Sequence, residues 1–390
     1  MLDKNGNRML CYVTTIDNIL PIEGYDRVEQ AIVGGWRIIV SKADNFQPGD
    51  KCVYFEIDSL VDAQDERFKF LEKRKYRIKT QRMCKTISQG LVMPLSLFPE
   101  LKDPEVGTDL TEKLNVKYYV PEDNKRKANG INKKAKYQSM ASRYPHIFKK
   151  KPVRWLMRRE WGRKLMFLFF GRKRDKGTAW PSHIAAKTDV ERIQNEIWVL
   201  KDKTPYVVTE KVDGSSCSVM AEKGRFGKIK YYVCSRNVVF QDEKQKCFYD
   251  ENIYFEMYHK YNMREILTKI LEDYDLKNVA IQFEVFGPNV QKNDYSLSER
   301  EGRVFHIVSN REKFPMDKVV EICEKYGLPH VPIIDDNYIL PDTIEEVQAF
   351  VEGEGSKING KMKEGVVFYD KATGQKYFKF VSPEYLMKFH

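Results

Sequence analysis

The sequence predicts an α+β chain. An all-β N-terminal part forms a small barrel, a basic connector follows, and the C-terminal part combines mainly antiparallel sheets with helices. Three observations predict this. Short β-rich runs broken by Gly and Pro turns occupy residues 1–120, as expected of several short strands closing a barrel. Residues 121–186 are polar and strongly basic. From residue 187 to 390, helical and strand-like stretches are interspersed, the pattern of an α+β domain. A length of 390 residues suits two to three domains. A hydrophobic content of 42% with 13% aromatics is enough to build their cores and excludes wholesale disorder.

In the first part, Arg8–Thr15, Trp36–Ser41, Lys51–Ile57 and Gly90–Pro94 read as strands, with turns at Gly34-Gly35 and Pro48-Gly49-Asp50. Arg67–Lys85, R-F-K-F-L-E-K-R-K-Y-R-I-K-T-Q-R-M-C-K, interleaves basic with aromatic residues. Such Arg and Lys side chains can neutralise phosphates while Phe and Tyr stack bases. The same alternation also suits a strand with one core face and one solvated face. Val120-Pro121-Glu122-Asp123 closes this part, and Asn124–Tyr137 reads as a loop. Val153–Phe170 reads as a helix with a mixed apolar and cationic surface. Packing on a neighbouring domain, lying on a membrane surface and bracing a nucleic acid compete as its use.

In the last part, Lys187-Thr188-Asp189 starts a capped segment, with Thr188 or Asp189 as N-cap. Lys230–Ser235, Val279–Phe286 and Arg303–Val308 read as strands. Tyr254–Asp275, Met316–Tyr326 and Thr343–Glu352 read as helices. Glu364–Tyr369 and Lys376–Val381 pair across a turn at Asp370–Gln375.

Charge and cysteine usage narrow the function. The net charge is +11, and residues 125–176 alone hold 19 Lys or Arg against Glu160 and Asp175, so the rest of the chain is net acidic. A localised basic block suits a polyanionic partner, most commonly a phosphate backbone; a solvated lysine-rich linker is the plain alternative. The seven cysteines are scattered without a C-x-x-C pair, as in reduced intracellular proteins rather than disulfide frameworks or zinc sites. Six scattered histidines give little support to a histidine-based metal site or triad. The N-terminus M-L-D-K-N lacks an apolar h-region, and Leu165–Phe170 is too short to span a bilayer. The expectation is a soluble intracellular protein without stable membrane association.

The stretch that carries chemistry is Val207–Ser216, V-V-T-E-K-V-D-G-S-S. Val207 and Val208 read as the end of a buried strand, and Asp213-Gly214 as a turn. Lys211 is thus held at a strand end, two residues before a carboxylate. At pH 7.5 only about one ordinary lysine in a thousand is an unprotonated nucleophile; a nearby metal or desolvation raises that fraction. A hairpin turn with a surface lysine is the plain alternative. Asp213, Glu284 and Glu364, with Lys211, Arg236, Lys376 and Lys379, fall on strands or at their ends. Hard carboxylate oxygens suit Mg²⁺ or Mn²⁺, directly or through waters, and lysines suit phosphate oxygens.

Glu210–Ser216 resembles motif I, K-x-D-G-S, of the covalent nucleotidyltransferases, the ATP-dependent RNA and DNA ligases and mRNA capping enzymes. S-R-N at 235–237, F-E-V-F-G at 283–287, V-F-H-I at 304–307, K-E-G-V-V-F at 363–368 and Y-F-K-F-V-S at 377–382 resemble the family's later motifs, in its order. Ser215 after the glycine looks like RNA ligases. Nine residues follow Val381, too few for the C-terminal OB domain that DNA ligases and capping enzymes use. The N-terminal barrel, with K-R-K-Y-R-I-K-T and I-S-Q-G-L-V-M-P-L-S-L-F, looks like the OB domain of a nick-sealing RNA ligase family. P-S-H-I-A-A-K-T-D-V-E-R-I-Q-N is similar to the segment opening that family's catalytic domain. The resemblance covers most of the chain except the connector.

It implies an N-terminal OB barrel over 1–120, the connector over 121–186 and a nucleotidyltransferase domain over 187–390. The implied enzyme is an ATP-dependent RNA ligase joining 3′-OH and 5′-phosphate ends, a monomer that seals nicks in its partners, duplex RNA or RNA/DNA hybrids. Lys211 attacks the α-phosphate of ATP, the AMP donor, to give lysyl-AMP; AMP passes to the 5′-phosphate, and the 3′-OH then expels it. Asp213, Glu284 and Glu364 hold Mg²⁺ or Mn²⁺ mostly through waters. Arg236 contacts the ribose or 5′ end, Lys379 and secondarily Lys376 neutralise the α-phosphate, Arg192 orients pyrophosphate, and Phe305 or a neighbour stacks on adenine. Two departures stand out. His306 sits where the family often has Asp, and Lys376 and Lys379 are three apart, so on a strand they face opposite sides. A DNA ligase, a capping-type guanylyltransferase and a non-catalytic RNA-end binder are the competing readings.

Overall fold

The structure is a computed structural model describing residues 8–119, 147, 151–159, 161, 179–245, 247–249, 251–291 and 295–389. The N-terminal strands are β1 (Cys11–Thr15), β2 (Asn18–Pro21), β3 (Val28–Val33), β4 (Trp36–Ser41), β5 (Lys51–Phe55), β6 (Ser59–Leu60), β7 (Gln81–Met83), β8 (Thr86–Ser88), β9 (Leu91–Pro94) and β10 (Lys117–Tyr118). They pair antiparallel as β1-β5-β9, β2-β3-β4, β6-β10 and β7-β8. Alternate residues of β5 enter different cores: Cys52 and Tyr54 one, Val53 and Phe55 the other. Side chains of a strand point alternately to its two faces, so a strand buried on both sides reads as one apolar run.

Two parts of this region differ from the sequence expectation. Arg67–Lys85 does not form an alternating strand. Glu66–Arg74 is a 3₁₀ helix capped by the Asp65 side chain, and only then does β7 begin. Phe68 and Leu71, three apart, are buried while Phe70 is 61% exposed, as a helical period dictates. Strands β2 and β3 were not expected, because Glu29, Gln30 and Ala31 have low strand preference. Gln30 is nevertheless buried, donating from Nε2 to Thr86 Oγ1 at 3.0 Å and accepting from Arg37 Nη1 at 3.0 Å.

In the connector, α1 (Lys151–Arg158) overlaps the helix expected over 153–170. The Arg159 guanidinium lies 4.2 Å over the half-exposed Trp155 ring. Apart from Arg159 and Trp161, the remainder of that expected helix and the expected loop 124–137 lie outside the described residues. Among the described residues, no helix is long and apolar enough to cross a membrane.

The C-terminal part contains β11 (Pro205–Lys211), β12 (Ser215–Lys223), β13 (Ile229–Ser235), β14 (Val239–Phe240), α2 (Ile253–Lys260), α3 (Met263–Asp273), β15 (Asn278–Phe286), β16 (Glu301–Ser309), β17 (Glu312–Lys313), α4 (Met316–Tyr326), β18 (Ile333–Ile339), α5 (Ile344–Glu352), β19 (Gly365–Asp370), β20 (Tyr377–Val381) and α6 (Pro383–Phe389). Thr188 and Asp189 cap no helix. Thr188 Oγ1 instead pairs with Ser216 Oγ at 2.7 Å and Asp189 with Arg236, and the chain continues as short 3₁₀ turns at Ile193–Asn195 and Ile197–Lys201. The single helix expected over 254–275 is two, broken at Asn262 in the left-handed region (φ 47°), a conformation that Asn tolerates.

Two antiparallel sheets result, one ordered β14-β13-β12-β15-β16-β17 and one β18-β11-β19-β20. Successive strands β11 and β12 are therefore not a hairpin: the chain leaves one sheet at Lys211 and enters the other at Ser215. Val207, Val367 and Tyr369 of the smaller sheet share a core with Val219, Ile281 and Val304 of the larger, so the sheets pack together, with α2, α3 and α4 contributing to the same core.

The N-terminal strands are fixed to this body by apolar contact and hydrogen bonds. Val381 and Leu386 enter the core of Trp36 and Tyr54. Trp36 Nε1 donates to Asn195 Oδ1 at 2.7 Å, and Gly35 N donates to Gln194 O at 2.8 Å.

A Cβ at Gly214 would lie 2.3 Å from Val285 O, a main-chain atom of β15 that cannot yield without disturbing the sheet. Gly214→Ala is expected to cost about 2–3 kcal/mol of stability, read as a lower denaturant midpoint than wild type.

Candidate active site

The crossover between sheets converges the charged residues. Lys211, the last residue of β11, lies opposite Gly365 in the β11–β19 register. That register brings the preceding residue, Glu364, beside it, and Lys211 Nζ donates to Glu364 Oε2 at 2.6 Å. On the other sheet, Ser216 of β12 is opposite Glu284 of β15. Asp213 lies in the turn between. Its N–H donates to Tyr295 Oη at 3.1 Å, and its Oδ2 accepts from Tyr385 Oη at 2.9 Å.

Burial sets the electrostatics. It disfavours the Lys211 ammonium, but Glu364, Glu284 and Asp213 outweigh it and raise the lysine above its ordinary value. In this arrangement the lysine is held charged, whereas the sequence expectation was an environment that lowers its pKa. Glu284 is pushed up to about 8 by burial, against the opposing influence of Lys211. Lys379 of β20 is lowered to about 7, first by burial and then by Arg192, Lys211 and Arg8.

Arg192 forms a parallel bridge with Lys379. Its guanidinium sits 5.5 Å over the Trp36 ring, and its buried Nη1 has no hydrogen-bond partner among the described residues. A buried donor left unpaired is costly, so this group suits an anion. Phe305 of β16 is half-buried against the apolar cluster of Val212, Phe286, Tyr295 and Val331, which includes the residue after Lys211. Arg236, just past β13, is exposed and paired with Asp189; its charge still reaches Glu284.

Lys376 is placed elsewhere, a correction to its expected phosphate role. Its Nζ donates to Asp202 Oδ2 at 2.6 Å and lies 4.4 Å over Trp198, because it and Lys379 are separated by an odd number of strand positions. His306 is buried between the rings of Tyr369 and Tyr377, hydrogen-bonded through Nδ1 to Gln282 Oε1 at 3.2 Å. Desolvation pushes it well below the usual histidine range, so it is a neutral core residue.

Several contributors were not anticipated. Tyr295 and Tyr385 hold the turn, and no local signal marks a tyrosine that reaches a distant main chain. Glu210 is buried, accepting from Ser356 Oγ at 2.5 Å and from Lys357 N at 2.7 Å. Buried Lys363 donates to Glu354 O at 2.5 Å; its place beside Glu364 in K-E-G was its only available signal.

Among the described residues, no three His, Cys, Asp or Glu side chains gather as a direct metal-ligand group. Asp213, Glu284 and Glu364 therefore do not form a closed three-carboxylate cage. Their hard oxygens nonetheless fit a divalent cation with water in its coordination shell, and the raised Glu284 carboxyl marks a place where added positive charge is favourable.

Comparison with known proteins agrees with this architecture. Residues 10–95 match an OB-fold domain model, and residues 204–381 match the RNA ligase family model. No curated protein matches the sequence. A solved structure of a Naegleria gruberi RNA ligase mutant with ATP and Mn shares 25% identity, covers 97% of this chain and 98% of its own, and gives a TM-score of 0.74. The same ligase with PPi shares 26% identity over 97% and 98% of the two chains, with a TM-score of 0.73. A further mutant of it with AMP and Mn gives 25% identity, the same coverage and a TM-score of 0.72. From its two matched domains and their end-to-end likeness to these structures, the chain belongs to the ATP-dependent RNA ligases of the covalent nucleotidyltransferase superfamily that carry an N-terminal OB-fold domain.

Proposed function

We propose that this ligase seals nicks in duplex RNA or RNA/DNA hybrids, acting as a monomer on 3′-OH and 5′-phosphate ends. The observation that carries the chemistry is the placement of Lys211 at the sheet crossover, 2.6 Å from Glu364 and in the field of Glu284 and Asp213. ATP serves as AMP donor, and a divalent metal accompanies it. Asp213, Glu284 and Glu364 would hold Mg²⁺ or Mn²⁺ partly through water, and when bound it supplies charge stabilisation at the α-phosphate.

The protein's own residues divide the remaining work. Lys211 loses a proton and its Nζ lone pair attacks the α-phosphorus; the bond to the pyrophosphate oxygen breaks and its electron pair leaves with pyrophosphate. Glu364, hydrogen-bonded to that amine, orients it. A 5′-phosphate oxygen of the RNA then displaces the Lys211 amine from the adenylyl phosphorus. The 3′-OH finally attacks the activated 5′-phosphorus and expels AMP. Splitting the transfer through a covalent intermediate is what the nucleophilic lysine provides.

Lys379 and Arg192 are the cationic residues we assign to the phosphates. Lys379 would be partly neutral near pH 7 before ligand arrives and would gain its proton as the phosphates approach. Arg236 lies within electrostatic reach of Glu284 and is assigned to the ribose or RNA 5′ end, and Phe305 to the adenine. The duplex preference draws support from the solvent-facing basic run after Asp65 and the connector's excess positive charge, which suit two phosphate backbones.

Three outcomes follow. In sealing assays, nicked duplexes with RNA at the 3′-OH strand are joined faster than single strands; equal rates on single strands would overturn the duplex assignment. Lys379→Met lowers lysyl-AMP formation on the order of 100-fold, as for loss of one charge-stabilising group, whereas Lys376→Met stays close to wild type because its amine is committed to Asp202. The pH dependence of stability has a fixed sign. The Lys379 pKa is depressed on folding to about 7, so the unfolded chain binds more protons and stability rises with pH between about 7 and 10.4. Without nucleotide, the Tm advantage of Lys379→Met over wild type is therefore largest at or below pH 7 and shrinks towards pH 10.

A further inference from the structure

The lysine turn is held from the C-terminal helix, and that helix is also the bolt between the two domains. Ser382 Oγ accepts from Tyr385 N at 3.2 Å and donates to Glu352 Oε1 at 2.6 Å, fixing the start of α6. The Tyr385 ring is 1% exposed and packs 4.6 Å from Phe389. Its hydroxyl reaches Asp213 Oδ2 at 2.9 Å. The next residue, Leu386, together with Val381, enters the OB-domain core of Trp36, Tyr54 and Ile57. Adjacent side chains of one short helix thus serve the barrel and the catalytic turn.

We propose that Tyr385 is a positioning residue for lysyl-AMP formation, holding the Asp213 carboxylate in place and tying the lysine turn to the seated OB domain. This rests on the ligase reading above. Asp213 is two residues from Lys211, in the turn that links β11 to β12. Lys211 already has an ion pair with Glu364. An Asp213 carboxylate swung onto the amine would add a second and hold the nucleophile back from phosphorus. A hydroxyl donating to a carboxylate is a strong, directional restraint, and Tyr295 fixes the same residue's main chain from the other side. Leu386 makes the restraint depend on the barrel: α6 keeps its place because its neighbouring face is buried there.

The test uses the full chain with Mn²⁺ and ATP labelled at the α-phosphate, following lysyl-AMP formation in a single turnover across ATP concentrations. Tyr385→Phe keeps the buried ring and removes only the hydroxyl. It is expected to lower the maximal rate about tenfold, the scale of one hydrogen bond to a charged group, with half-saturating ATP and Tm close to wild type. In the double variant with Asp213→Ala, the Phe substitution adds no further loss, because the carboxylate that the hydroxyl holds is already gone. Leu386→Ala, which keeps the hydroxyl, shows a smaller drop in maximal rate with the same unchanged ATP dependence. A Tyr385→Phe protein at the wild-type rate, or losses that multiply with Asp213→Ala, would overturn the proposal. A wild-type protein that forms no lysyl-AMP sinks the ligase reading itself, whatever the tyrosine does.

Discussion

The site depends on one close main-chain approach. Gly214 passes so near Val285 O that no side chain fits there, and this contact lets the chain step from the small sheet into the large one within three residues. Were β11 and β12 a hairpin, Lys211 would sit at the end of a single sheet with solvent around it. Because they part company, the lysine lies where two sheets meet, with Glu364 contributed by one and Glu284 by the other. Gly365 repeats the theme: a Cβ there would strike Phe380 O at 2.1 Å, so β19 and β20 approach closely where Glu364 and Lys379 emerge.

That convergence is costly for the free protein. Arg192 and Lys211 disfavour the charged form of Lys379, and Glu284 is buried deeply enough to resist losing its proton. Buried charges that do not fully satisfy one another are expected where a charged ligand completes the arrangement. A polyphosphate suits the cationic side and a divalent cation the carboxylates. The OB domain is part of this balance: Arg8 adds to the field on Lys379, and Trp36 covers Arg192. Its seating therefore bears on the nucleotide end of the protein as well as on RNA.

Much of this was legible in the residues. Lys211, Glu284, Glu364 and Lys379 belong to short motifs whose spacing and strand-end positions survive in one dimension, and β-branched and aromatic runs marked their strands. Helix Met316–Tyr326 and, to within its first residue, the helix expected over Thr343–Glu352 were likewise evident, since periodicity is local. What failed was non-local. Which strands pair is decided by distant partners, so the sheet crossing was hidden behind a turn dipeptide. Gln30 is buried on a strand because Arg37 of the neighbouring strand and Thr86, 56 positions on, satisfy its amide. Lys376 shared a motif with Lys379, but Asp202, 174 positions earlier, and Trp198 beside it claimed its side chain. Tyr295 and Tyr385 carry no motif; only folding brings them to Asp213.

The most direct measurement of the central claim is peptide mapping by mass spectrometry after the protein has reacted with ATP and Mn²⁺ in the absence of RNA. The account predicts one AMP per chain, in an acid-labile bond, on the peptide containing Lys211. AMP on another lysine, or no adduct on folded protein that carried none beforehand, would contradict it.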